Sequence, residues 1–234
     1  MNVFVINLKR GVERREKISN RLDKLNVDYD IVEAIDGLEL SGQNKASAVN
    51  RFVFWCRVGR GVLDGEIGCA LSHAKIYKRF IEDQEREDVD KIPCVCILED
   101  DATLSDCFSS ALADIERTIN PEKPEVVLLS NHDGQLLFAD GYVLTAKAAE
   151  AILKVNTPMQ SPCEFWWLWQ KKGLLSVRHC DQPVVSQDIH QTMIGRTLAL
   201  SQMNLMQKIA WKIKRAVGLS IVGVMDLFGK NGSL

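Results

Sequence analysis

The chain opens with a change of periodicity that restricts its architecture. Val3-Phe4-Val5-Ile6 is a short apolar run, mostly β-branched, and the polar segment from Asn7 through Lys9-Arg10-Gly11 ends it. Ile18, Leu22 and Leu25 then recur at i, i+4 and i+7, which places them on one face of a helix. Tyr29 to Ile35 returns to strand character before Asp36-Gly37, a turn pair. A strand buried on both faces reads as a continuous apolar run, and a parallel neighbour needs a crossover helix between the two strands. The opening therefore predicts an α/β fold with a mostly parallel central sheet flanked by helices.

The remainder extends that pattern. From Leu38 to Asp64 periodicity weakens around the cluster Phe52-Val53-Phe54-Trp55, and the expectation is a long excursion able to act as a lid. Ile67, Ala70, Leu71, Ala74, Tyr77 and Ile81 predict a helix, with Glu82 to Asp90 as a solvated acidic loop. Cys94 to Leu98, Val126 to Leu129, Tyr142 to Leu144 and Val184-Val185 read as strands. Phe108, Leu112, Ile115 and Ile119 mark another helix, and Thr145 can cap a further one over Ala146 to Lys154. Phe165 to Trp169 is an aromatic cluster.

Composition narrows the function classes. The chain has 234 residues, 46% apolar and 26% charged, as expected for a globular protein. A net charge of −2 argues against a nucleic-acid binder. That total conceals a split: residues 203–230 hold five basic side chains against Asp226 and carry +4, leaving −6 on the rest. Lys208, Lys212 and Arg215 form a basic stripe opposite Met206, Ile209 and Ile213, which suits either an anionic membrane surface or packing on the domain itself. The expected division is a domain over 1–202 and a basic amphipathic helical tail over 203–234. No apolar run of 18 residues and no secretory leader are read, so a cytoplasmic protein is expected. Seven cysteines without paired CxxC clusters predict reduced, mostly buried thiols rather than a zinc site.

The strongest chemical signal is Glu99-Asp100-Asp101 directly after the strand Cys94 to Leu98. Three adjacent carboxylates repel, and a hard divalent cation such as magnesium or manganese relieves the repulsion. If extended geometry persists, Glu99 and Asp101 share a face while Asp100 points away. In open α/β sheets ligands bind outside the carboxyl ends of strands, where this trio sits. The alternative is an acidic cluster before the next helix. Asn7, Arg10, Arg14 and Arg15 follow the first strand, and Asn131, His132 and Asp133 follow a later one. Convergence of such groups fits a diphosphate with a bridging metal; the arginines also suit a solvated helix face. No GxGxxG or Walker-type loop is present, which disfavours dinucleotide and P-loop chemistry. Ser72 and His73 lie in the Ile67–Ile81 helix as either structural or functional residues, and spacing assembles no hydrolytic triad.

In order along residues 1–195, the blocks VINLKRGVERRE, AIDG, GEIGCALSHAKIY, CVCILEDDA, GYVLTAKAAEAIL and PVVSQD resemble glycosyltransferase family 25. That family includes bacterial lipopolysaccharide and lipooligosaccharide galactosyltransferases and, more distantly, collagen galactosyltransferases. The resemblance implies a GT-A type, Rossmann-like nucleotide-sugar transferase fold, a UDP-sugar donor and inversion at the anomeric carbon. It places manganese or magnesium on Glu99 and Asp101. It assigns Asn7, Arg10, Arg14, Arg15, Ser72, His73 and Asp100 to the donor side. Relatives tend to carry Pro-x-Asp before an aromatic run; here Pro162-Cys163-Glu164 stands there, and Glu keeps the carboxylate one methylene further out. Glu164, Asp188 and Asp133 are the candidates for the catalytic base. The implied reaction moves galactose, or less favourably glucose, from UDP-galactose or a related UDP-hexose to a lipooligosaccharide hydroxyl, as a β-1,4-galactosyltransferase would. The implied location is the inner face of the bacterial inner membrane, reached through the tail. A non-catalytic nucleotide-sugar-binding or assembly protein remains a second reading. A sugar-nucleotide pyrophosphorylase is a third, disfavoured by the missing Gly-rich loop after the first strand.

Overall fold

The structure, a computed structural model, describes residues 1–88, 90–131, 138–187 and 216–217. Strand β1 (Asn2–Asn7), helix α1 (Val12–Lys24) and strand β2 (Asp30–Glu33) form the parallel unit that the sequence predicts, with Ile6 opposite Val32. Helices α2 (Gly42–Ala48), α3 (Arg51–Val58) and α4 (Asp64–Glu85) follow, then β3 (Val95–Glu99), β4 (Ala102–Leu104) and α5 (Phe108–Thr118). The rest comprises β5 (Glu125–Leu128), β6 (Gly141–Leu144), α6 (Ala146–Asn156), α7 (Trp166–Lys171), β7 (Ser176–His179) and β8 (Val185–Gln187).

Six strands make one sheet in the order β2-β1-β3-β6-β5-β7. Only β6 runs against its neighbours, so the sheet is mostly parallel, as expected. Alternation along β1 feeds two cores. Phe4 and Ile6 pack with Ile76 and Phe80 of α4, Ile152 of α6 and Trp166 of α7. Val3 and Val5 pack with Ile18 and Leu22 of α1 and with Leu112 and Ile115 of α5. Each face of the sheet is thus closed by helices whose apolar stripes the sequence periodicity marks.

The segment after Leu38 differs from the expected lid. It contains α2 and α3, whose seven and eight residues are too short to establish a helical period. Ser41 caps α2 and Asn50 caps α3 through their side-chain oxygens, and Gly59 ends α3 with φ of 80°. Phe54 and Cys56 are fully buried, and Asn50 N and Met159 O bond at 2.9 Å. The excursion is a packed wall. Likewise α4 runs on through Glu85, so the first part of the expected acidic loop is helical.

Thr145 caps α6, with Ala148 N donating to its hydroxyl at 3.2 Å. The short β8 pairs antiparallel with β4, setting Gln187 opposite Ala102. Among the described residues no helix is long and apolar enough to cross a membrane. The tail lies outside the described residues except for the helical, exposed Ala216 and Val217. All seven cysteines are free thiols, with Cys107 the exposed one.

Candidate active site

Two features of the fold create the site. The chain leaves β1 towards β2 on one side and later returns with β3 on the other, so the strand order reverses between β1 and β3. Ligand crevices in open sheets form at such a switch point, outside the carboxyl ends of the strands. The ends of β1 and β3 carry Asn7 and Glu99, with Ile6 and Glu99 in register.

A cleft open to solvent, with a cavity of about 200 Å³, lies there. Its wall includes Arg10, Arg14, Asp36, Glu99, Asp100, Asp101 and Gln187, together with Cys69 and Ser72 of α4.

The three carboxylates are held differently. Asp100 is 9% exposed and has a partner on each oxygen: Asn7 Nδ2 donates at 2.7 Å and Arg14 Nη1 at 2.8 Å. Asn7, 2% exposed, also donates to Gly11 O at 2.9 Å, so its amide is spent inside the protein. Asp101 is held loosely, by Arg14 Nη1 at 3.4 Å and Gln187 Nε2 at 3.4 Å. Burial first, then the neighbouring Glu99 charge, pushes the Asp101 carboxyl up to about 6, with Arg14 opposing. A carboxylate kept partly neutral by burial and like charge gains from a nearby cation. Glu99 and Asp101, both hard oxygen donors on the cleft wall, fit a divalent ion.

The basic side chains divide too. Arg14 Nη2 is buried without a hydrogen-bond partner, and Arg10 pairs with Asp36 at the cleft wall. Both guanidinium side chains line the cleft, so its wall carries positive charge beside the carboxylates. Arg15 is exposed on α1, away from the cleft lining.

Ser72 and His73 point inward from α4. Ser72 Oγ accepts from Ile35 N at 2.8 Å and donates to Gly68 O at 2.7 Å, which ties α4 to the loop after β2. His73, 1% exposed, has Nδ1 2.7 Å from Tyr142 Oη and Nε2 3.5 Å from Glu99 Oε1. Glu164 precedes α7 beside Cys163, and its carboxyl is raised by burial and then by the Glu99 charge. Asp133 and Asp188 fall outside the described residues, although Asp188 directly follows Gln187 in sequence.

Three contributors were missed in the sequence. Gln187 ends a three-residue strand, and Asp36 reads only as half of a turn pair. Cys69 does sit four residues before His73 on the predicted helix, the one signal that was available.

The model of glycosyltransferase family 25, described as an LPS biosynthesis protein family, matches residues 1–135. The chain belongs to glycosyltransferase family 25. The family 25 match spans β1 through β5 and so includes the acidic strand end and the arginines of α1. A family 25 member from Drosophila melanogaster is 36% identical over 109 residues, 45% of this chain and 17% of that protein. Procollagen galactosyltransferase 2 of Mus musculus is 32% identical over 170 residues, 71% of this chain and 25% of that protein. The chain thus spans a quarter or less of the length of these relatives. A solved structure of a Drosophila β-1,4-galactosyltransferase 7 variant with manganese, UDP-Gal and xylobiose overlaps 89% of this chain and 78% of that one at a TM-score of 0.41 and 11% identity.

Proposed function

We propose that the protein is an inverting, UDP-sugar-dependent galactosyltransferase of GT-A type, acting on a sugar hydroxyl. The observation that carries this reading is the acidic end of β3 at the switch-point cleft, faced by a buried guanidinium nitrogen of Arg14. A donor diphosphate needs both charges: carboxylates for a bridging cation, and a guanidinium for the phosphate oxygens.

In this mechanism Glu99 and Asp101 would hold manganese or magnesium. The ion they hold would supply Lewis-acid stabilisation of the charge that develops on the departing UDP. Arg14 and Arg10 orient the phosphates. Asn7 and Asp100 keep Arg14 and the strand ends in place. A carboxylate takes the proton from the acceptor hydroxyl as its oxygen bonds to the anomeric carbon and the bond to UDP breaks. Glu164 is the leading candidate because burial raises its affinity for a proton. Asp188 and Asp133 are the others. Such base assistance is typically worth about 10²–10⁴-fold.

The finer reading is a β-1,4 transfer of galactose to a lipooligosaccharide, by a domain over 1–202 with a basic tail over 203–234 that docks on anionic lipid. The tail charge of +4 over 203–230 supports the docking. The test is UDP release from UDP-galactose and UDP-glucose, with and without manganese, over a panel of sugar acceptors. Expected is manganese-dependent release with UDP-galactose that requires acceptor. Binding of UDP without turnover on any acceptor overturns the enzyme reading in favour of a non-catalytic binder; pyrophosphate release favours a pyrophosphorylase. For the tail, flotation with anionic vesicles is expected to fail once 203–234 are removed.

A further inference from the structure

Behind the Glu99 wall of the cleft, α4 and the loop before α7 bring three soft or borderline ligands together. Cys69, His73 and Cys163 place one ligand atom each within 4.8 Å of the others. Cys69 and His73 are one helical turn apart on α4, and Cys163 arrives from a segment 94 residues away from Cys69. The two Sγ atoms are 3.3 Å apart. Glu99 Oε1 lies beside this group, 3.7 Å from Cys69 Sγ and 3.5 Å from His73 Nε2.

We propose that Cys69, His73 and Cys163 form a zinc site. Bond lengths of about 2.3 Å to sulfur and about 2.0–2.1 Å to nitrogen or oxygen put tetrahedral ligand atoms roughly 3.3–3.8 Å apart. Two sulfur ligands belong at the upper end of that range, so the Cys69 and Cys163 Sγ atoms, 3.3 Å apart, must separate by about 0.5 Å to take up the ion.

A second observation points the same way. His73 Nε2 is buried and has no hydrogen-bond partner, although the side chain is 1% exposed. The other ring nitrogen is fixed: Nδ1 lies 2.7 Å from Tyr142 Oη, which is itself 2.5 Å from Tyr77 Oη. A ligating histidine characteristically anchors its second nitrogen in this way, which aims the lone pair of the first at the metal. The ring also stacks on Tyr142, with centroids 5.7 Å apart. Two thiols and an imidazole select zinc over the hard ions suited to the oxygen pair on the cleft. Zinc entry displaces the thiol protons of Cys69 and Cys163 to solvent and leaves both as thiolates.

The inference stands apart from the transferase reading, because its readouts are metal binding alone. The full chain, reduced and stripped with a chelator, is titrated with zinc against a chromophoric competitor, and with cobalt in parallel. One zinc equivalent is expected, and the cobalt form should show thiolate-to-metal charge transfer with the intense visible bands of a tetrahedral site. Cys163→Ser and Cys69→Ser should each weaken zinc by at least about 10–100-fold, the loss already typical of removing an outer partner. Cys107→Ser, at the exposed thiol, should leave zinc affinity unchanged. A cobalt spectrum without thiolate bands overturns the site, and that reading needs no variant to fold. So does zinc affinity that is the same in Cys163→Ser, which would place the ion on the oxygen ligands instead.

Discussion

Asn7 Nδ2 donates to Asp100 Oδ2 at 2.7 Å, and that bond fastens the end of β1 to the turn that leaves β3. The other Asp100 oxygen accepts from Arg14 Nη1 at 2.8 Å, so one carboxylate organises both a strand end and a guanidinium. Replacing Asp100 with Ala leaves two buried donors facing each other. Hydrogen bonds to charged groups contribute about 1.5–3 kcal/mol each, so a loss of roughly that size is expected in urea unfolding. Asp100→Asn keeps one acceptor and should lose less.

Asp101 behaves oppositely. Its charged form is penalised by burial and by Glu99, and no close hydrogen bond rewards it. Asp101→Asn should therefore leave the melting temperature of the metal-free protein unchanged or raised. The same variant should lose about 10²–10³-fold in manganese-supported UDP release, the magnitude typical of deleting one preorganised electrostatic contact. Loss of stability together with activity would instead make Asp101 a structural residue.

The sequence makes the β1–α1–β2 unit and the acidic strand end legible for one reason: each occupies a run long enough to show its period. Ile18 and Leu22 face the core as their spacing requires, and Glu99 ends an uninterrupted apolar strand. Where a short strand also interleaves polar side chains, the signal fails: β4 (ATL) and β7 (SVRH) lack the apolar pairs that mark the equally short β5 and β6. Partnership across the chain is hidden altogether. Asn7 reads as a ligand residue until Asp100 is seen against it, and Cys163 joins Cys69 only through the path of the loop before α7.

Buried thiols give the fold an alkaline limit. Cys94 is pushed up to about 12 by burial, with the Glu116 charge adding to it, and Cys96 is raised further by burial. In the unfolded chain both titrate near about 8.5. Above that pH the unfolded state releases protons that the folded state retains, so stability falls as pH rises. The loss should begin near pH 8.5 and approach about 1.4 kcal/mol per pH unit for each thiol. Urea midpoints from pH 7.5 to 10 under reducing conditions measure it. Cys96→Ala should shift the whole curve down through a small cavity yet flatten its alkaline slope; an unchanged slope would assign the limit to other groups.

Gly68 lets α4 pack closely against the loop after β2. It lies inside α4, where Ala is ordinarily favoured over Gly by about 1 kcal/mol. Here a Cβ would run into the Ile35 carbonyl and the backbone of Gly37, groups that cannot rotate away. Gly68→Ala must push the start of α4 from the loop after β2, stretching the 2.8 Å bond from Ile35 N to Ser72 Oγ. Overpacking of this kind costs about 1–3 kcal/mol, so the sign is opposite to helix propensity. Ile35, Asp36, Gly37 and Leu38 all line the cleft, so the displacement should weaken UDP binding as well as stability. Gly61→Ala is the matched control, since a Cβ there meets nothing within 4 Å. Calorimetric titration with UDP and a thermal melt on both variants separate the two effects. A Gly68→Ala protein with parental melting temperature and UDP affinity would show that the contact between α4 and the β2 loop does not shape the donor cleft.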